Sequence, residues 1–100
     1  MLEIVWSRLA QRRLEEIHDY IARDKPQAAQ RFTARLVATI EVLKDYPLLG
    51  RLGSEPGIRE LVLGGTPYIV LYRLRAQRVV ISTIWQGAQR KPRISRKKRR

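Results

Sequence analysis

The apolar residues of this chain change their period twice, and that order of periods leaves few folds open. LEIVW, residues 2 to 6, is a short run rich in β-formers that stops at Ser7. Ala10, Leu14, Ile17 and Ile21 then recur on one face of a helix, with Arg12, Arg13, Glu15, Glu16 and Asp19 mostly elsewhere. Ser7 suits the N-cap, because its hydroxyl can accept from a helix N–H that has no partner within the helix. Asp24-Lys25-Pro26 ends this helix and opens another, since proline disfavours helical geometry in the residue before it and fits a first helical turn. The second helix, roughly 26–45, carries Ala29, Phe32, Leu36, Ile40 and Leu43 on one face. YPLLGRLGSEPG, residues 46 to 57, is turn chemistry. Three strands follow, about 58–63, 67–74 and 78–86. Gly64-Gly65 is expected to supply the positive φ angles of a tight hairpin, and Ala76-Gln77 makes the next turn.

The order β-α-α-β-β-β predicts an α+β fold. Two helices with so short a joint form an antiparallel hairpin, whose apolar stripe must cover one face of a small antiparallel sheet. The late strands are sequential antiparallel neighbours, and the first strand returns to the sheet after the helices. Alternation sends Tyr68, Val70, Tyr72 and Leu74 to one face, and Ile69, Leu71 and Arg73 to the other. Both sets are largely apolar, so the face away from the helices is expected to be covered in use, for instance by a partner segment.

One hundred residues make one domain, which buries roughly 60–65% of its unfolded surface. No apolar run approaches the roughly 18 residues of a membrane span, and the N-terminus lacks the pattern of a signal peptide. A cytoplasmic protein without a membrane partner is expected. The absence of cysteine excludes disulfides and thiolate metal sites. The net charge of +12 is unevenly placed: Lys91, Arg93, Arg96, Lys97, Lys98, Arg99 and Arg100 lie in the last ten residues. Residues 1–90 carry 14 basic and 9 acidic residues, or +5. The chain therefore divides into a mildly basic domain, 1–90, and a basic tail, 91–100. Such a tail either binds a polyanion or an acidic protein, or serves only solubility.

Familiar enzyme constellations are nearly missing. His18 is the only histidine and falls on the polar flank of the first helix, without companions at metal-ligand spacing. No serine sits in a GxSxG-like context, and no glycine-rich phosphate loop precedes a helix. Glu15 with Asp19, and Glu41 with Asp45, read as solvated helix charges. Neither a metal nor a cofactor is expected. Arg51, Arg59, Arg73 and Arg90 remain as cations, with Tyr68 and Tyr72 as weak acids of pKa about 10. Together they can hold a phosphate, but they include no evident base. Arg59 also has a structural reading, pairing with a loop carboxylate. Arg73 and Arg75 flank Leu74 and share a face that could dock an acidic segment.

Trp6-Ser7, Tyr20-Ile21-Ala22, Pro47, Gly50-Arg51, Arg59-Glu60-Leu61, Tyr72-Arg73 and the run IWQGAQR occur in an order that resembles the RelE/ParE superfamily of bacterial toxin–antitoxin toxins. The resemblance covers residues 2 to about 90 and leaves the basic tail outside. It implies a small cognate antitoxin, ParD-like or of another type. RelE-like members cleave ribosome-bound mRNA, and ParE-like members poison DNA gyrase. RNA cleavage needs a proton taken from the 2′-OH, one given to the 5′-oxygen, and preorganised cations at the phosphate. RelE-like nucleases carry an arginine three residues before the tyrosine of the penultimate strand, which here is Ile69. Several carry His or Tyr near the end of the last strand, where this chain has Trp85-Gln86-Gly87. The resemblance therefore favours the ParE-like branch, with no catalytic residues. Arg59, Tyr68, Tyr72, Arg73, Arg75, Trp85 and Arg90 are then docking groups for target or antitoxin, and the tail a contact for DNA or acidic residues. In the RelE-like alternative, Arg51, Arg59, Arg73 and Tyr72 form the metal-independent catalytic set.

Overall fold

The computed structural model describes residues 1–87. Its elements are β1 (Glu3–Trp6), α1 (Arg8–Ala22), α2 (Pro26–Glu41) with a 3-10 turn (Val42–Lys44), β2 (Arg51–Leu52), β3 (Arg59–Val62), β4 (Tyr68–Arg75) and β5 (Arg78–Gln86). They form an α+β fold, the two helices packed on one five-stranded sheet of order β1-β5-β4-β3-β2. The late strands are antiparallel neighbours, as their short connections require, whereas β1 pairs parallel to β5. The sheet is thus mixed, and the two-residue β2 at its far edge is an element the periodicity did not reveal.

The helical stripe and one sheet face make a single core. Leu36, Ile40 and Leu43 are fully buried against Val70, Tyr72, Val79, Ile81 and Ile84. Each such aliphatic side chain contributes about 1.5–3 kcal/mol by leaving water. Ala10, also fully buried, keeps α1 close to the sheet.

Ser7 marks the change from strand to helix for more than one reason. Its hydroxyl accepts the Ala10 N–H at 2.9 Å, the cap the sequence predicts, and donates to the Ser82 carbonyl at 2.8 Å. Ser82 is the extra residue of a bulge in β5: Leu71 faces Thr83 while Tyr72 faces Ile81. One hydroxyl therefore ends β1, starts α1 and satisfies a carbonyl that the bulge displaces.

Three expectations change in detail. The second helix stays α-helical only to Glu41 and tightens into the 3-10 turn. Gly65 alone of the glycine pair has a positive φ (78°), and Thr66 N–H closes the turn onto Leu63 at 3.1 Å, so the connection is wider than a two-residue hairpin. In the next turn Ala76 takes φ 53°, a position that glycine fills at lower cost. The face away from the helices is also not open at its centre: Leu71 and its partner Thr83 are 1% and 2% exposed.

Candidate functional site

The chain leaves the 3-10 turn through Tyr46-Pro47-Leu48-Leu49-Gly50, and two strand residues hold this loop in place. The Tyr72 hydroxyl donates to the Pro47 carbonyl at 2.7 Å and accepts the Gly50 N–H at 2.8 Å. Arg59, opposite Tyr72 on the neighbouring strand, donates to the Gly50 carbonyl at 2.7 Å and more weakly to the Leu48 carbonyl at 3.5 Å. Arg59 thus serves a structural role here, holding the loop through its carbonyls. Gly50 is required by close approach: a Cβ there would lie 2.7 Å from a Tyr72 ring carbon and 3.0 Å from the Glu60 carbonyl. The clamped loop turns Tyr46, Leu48 and Leu49 outward, and Leu52 of β2 follows, each more than half exposed.

Tyr72 itself is fully buried, so it has no surface with which to dock a partner. Burial pushes its pKa above the ordinary tyrosine value, against the opposing pull of the Gly50 N–H and the Arg59 charge. A buried phenol that is already donating to a carbonyl, with a raised pKa, is a poor general base near neutral pH.

The opposite face carries the other cations. Arg51, well exposed, approaches the buried Glu60 carboxylate at 3.3 Å across β2 and β3. Arg78 meets Glu3 at 3.5 Å. Arg73 is half-buried and Arg75 exposed, and the register places them beside Val80 and Arg78. Ile69 lies across from Trp85, which makes an apolar pair at the position where a RelE-like nuclease is expected to carry its arginine. The structure therefore separates the four members of the alternative catalytic set. Arg59 and Tyr72 hold the loop on the helix face, while Arg51 and Arg73 belong to the other face by strand alternation.

Tyr68 packs against Phe32, with ring centroids 5.6 Å apart and planes tilted by 58°. Burial, and secondarily the nearby Tyr20, raises its pKa as well. Tyr68 also borders a groove of about 470 Å³ between α1 and the end of β5, where Trp85 and Gln86 are found. The Trp85 indole N–H is buried there with no acceptor among the described residues. His18 contacts Asp19 at 3.1 Å on the exposed side of α1. Among the described residues no group of three His, Cys, Asp or Glu side chains is placed to hold a metal ion, and no helix is long and apolar enough to cross a membrane. Arg90 and the tail residues Lys91, Arg93, Arg96, Lys97, Lys98, Arg99 and Arg100, with the domain boundary at 90, lie outside the described residues.

Two features escaped sequence reasoning. The demand on Gly50 arises from a residue 22 positions away, which no local pattern encodes. The burial of Glu60 had no local signal either: alternation puts it on the face opposite Arg59 and Leu61, where it lies across from the buried Leu71.

Comparison with known proteins agrees with this architecture. The profile of the ParE toxin of type II toxin–antitoxin systems, parDE, matches residues 4–91. The chain is 42% identical over 91 residues to Y4kP of Sinorhizobium fredii, covering 91% of this chain and 94% of that protein. It is 40% identical over 72 residues to the toxin RelE2 of Caulobacter vibrioides, covering 72% and 80%. Among solved structures, a chain of the chromosomal ParDE system from P. aeruginosa superposes with a TM-score of 0.79 at 25% identity, covering 86% of this chain and 96% of that one. With its helical hairpin, its five-stranded sheet and a profile match over nearly the whole domain, this chain belongs to the ParE toxin family of type II toxin–antitoxin systems.

Proposed function

We propose that this toxin arrests growth in the cytoplasm by binding DNA gyrase and stabilising a gyrase–DNA intermediate, without cleaving RNA, and that a small cognate antitoxin neutralises it. The observation that carries this reading is the Ile69–Trp85 pair, which puts apolar side chains where a nuclease of the superfamily is expected to place a cation. The commitment of Tyr72 and Arg59 to the loop supports it, because two members of the alternative catalytic set are engaged elsewhere. Arg73, Arg75 and Trp85 stay at least partly accessible for docking.

The basic tail extends this reading. Lys91, Arg93, Arg96, Lys97, Lys98, Arg99 and Arg100 contact DNA near the enzyme or acidic residues of the antitoxin. If all seven neutralise phosphates, the logarithm of the DNA affinity falls against log salt with a slope of about −6, from roughly −0.9 per phosphate.

The name RelE2 of one relative keeps ribosome-dependent cleavage as the alternative to test. Purified toxin should inhibit gyrase supercoiling and leave ribosome-bound mRNA intact. Codon-positioned cuts that disappear with Arg73→Ala would instead assign the nuclease reading.

A further inference from the structure

The exposed apolar side chains of this domain are not scattered. Val42, Tyr46, Leu48, Leu49 and Leu52 crowd into residues 42–52 and are 41–68% exposed. Main-chain bonds bring three of them into line. The Val42 carbonyl accepts the Tyr46 N–H at 3.0 Å, and the Tyr46 carbonyl accepts the Leu49 N–H at 3.1 Å. These two turns stack positions 42, 46 and 49 at i, i+4 and i+7, the spacing of one helix face. Leu52 follows on β2, the edge strand of the sheet. The Tyr72 and Arg59 side chains fix the backbone at Pro47, Leu48 and Gly50, so docking on this segment costs little loop ordering. Exposed apolar side chains on a fixed backbone mark a contact surface.

Charge decides what covers it. Residues 41–52 hold Glu41, Lys44, Asp45 and Arg51, two acidic and two basic, so the segment is neutral and the chain's +12 lies entirely outside it. Lys44 already pairs with Glu41 at 2.6 Å, and Arg51 approaches Glu60 at 3.3 Å. An acidic peptide or a nucleic acid is drawn to the basic remainder of the chain and finds no net attraction here. A second copy of this chain meets a surface of its own kind, apolar at the centre with both signs at the rim. A twofold axis can set acid against base across such a surface. Five side chains exposed to this degree make a patch on the order of 500 Å². Two facing copies bury about 1,000 Å² in all, the lower bound of a specific interface.

We propose that Val42, Tyr46, Leu48, Leu49 and Leu52 form a self-association surface through which two copies of this toxin pair about a twofold axis. The pairing does not depend on the cellular target. An interface of this size gives a dissociation constant on the order of micromolar. The net charge gives the dimer a signature. Two chains of +12 repel each other, and salt screens that repulsion without weakening an apolar contact. The dimer should therefore tighten as salt rises, the reverse of a contact with DNA or an acidic partner.

The test is sedimentation velocity of the full-length toxin from about 1 to 100 μM, a range that brackets the expected constant. The average mass should climb from 11.7 kDa toward twice that value. The dissociation constant should fall at least about threefold between roughly 0.1 and 0.5 M NaCl. Leu49→Asp, at an exposed position, keeps the core intact and should weaken the dimer at least about tenfold by burying a carboxylate, although it lowers the net charge. Val62→Asp makes the same charge change at an exposed side chain outside the patch and should leave association within about twofold. A toxin that stays monomeric throughout, a dimer that weakens with salt, or one that survives Leu49→Asp overturns self-association. So does a monomer in which Leu49→Asp abolishes only gyrase inhibition or antitoxin binding, which assigns the patch to that partner.

Discussion

Tyr72 and Pro47 are 25 residues apart in sequence, yet the hydroxyl of one and the carbonyl of the other are joined at 2.7 Å. The same hydroxyl takes the Gly50 N–H, and Arg59 holds the Gly50 carbonyl. A tyrosine and an arginine that would suit a phosphate site are thereby occupied in fixing a loop whose apolar side chains face outward.

Tyr72→Phe keeps the ring and leaves the Pro47 carbonyl and Gly50 N–H without their partner. The expected loss is about 1–3 kcal/mol in urea unfolding, the range for orphaned buried polar groups. The pH dependence has a definite sign. The folded pKa of Tyr72 lies above the ordinary value because burial disfavours the phenolate. Its contribution is therefore complete below about pH 10 and is lost as pH rises through the folded value. The alkaline fall in stability should be shallower in Tyr72→Phe than in the parent.

Ser7→Ala removes an N-cap and the donor to the Ser82 carbonyl together. Caps contribute about 0.5–2 kcal/mol, and the bulge bond adds roughly 1. Thermal unfolding should show a loss of about 1.5–3 kcal/mol, while Ser7→Asp, which keeps a cap acceptor but cannot donate to Ser82, should fall between the two.

Ala76→Gly should stabilise the protein by about 0.5–1 kcal/mol in chemical denaturation. The φ of 53° at Ala76 is a left-handed conformation that costs a residue with a Cβ about 1–2 kcal/mol, partly offset by the greater backbone entropy glycine loses on folding.

The helices were legible because their signals are local. The apolar period and the capping chemistry of Ser7 and Pro26 are written within a few residues of where they act. The face of Val70 and Tyr72 was legible for the same reason. Less could be read where the cause lies far along the chain. The bulge at Ser82 answers to Ser7, 75 positions away, and β2 exists because Arg51 and Leu52 meet Glu60 and Arg59. The candidate site shows the same division. The absence of a cation at position 69 was visible in sequence, but nothing local revealed that Tyr72 is sealed beneath a loop or that β5 outruns β1.

Gyrase binding without RNA cleavage is decided by the gyrase cleavage assay. Supercoiled plasmid is incubated with gyrase, ATP and purified toxin, then denatured and proteolysed so that trapped double-strand breaks appear as linear DNA. Linear DNA should accumulate with toxin concentration, and equimolar antitoxin should suppress it. Unchanged gyrase products at micromolar toxin, with codon-positioned cuts in ribosome-bound mRNA, would make the protein a ribosome-dependent nuclease instead.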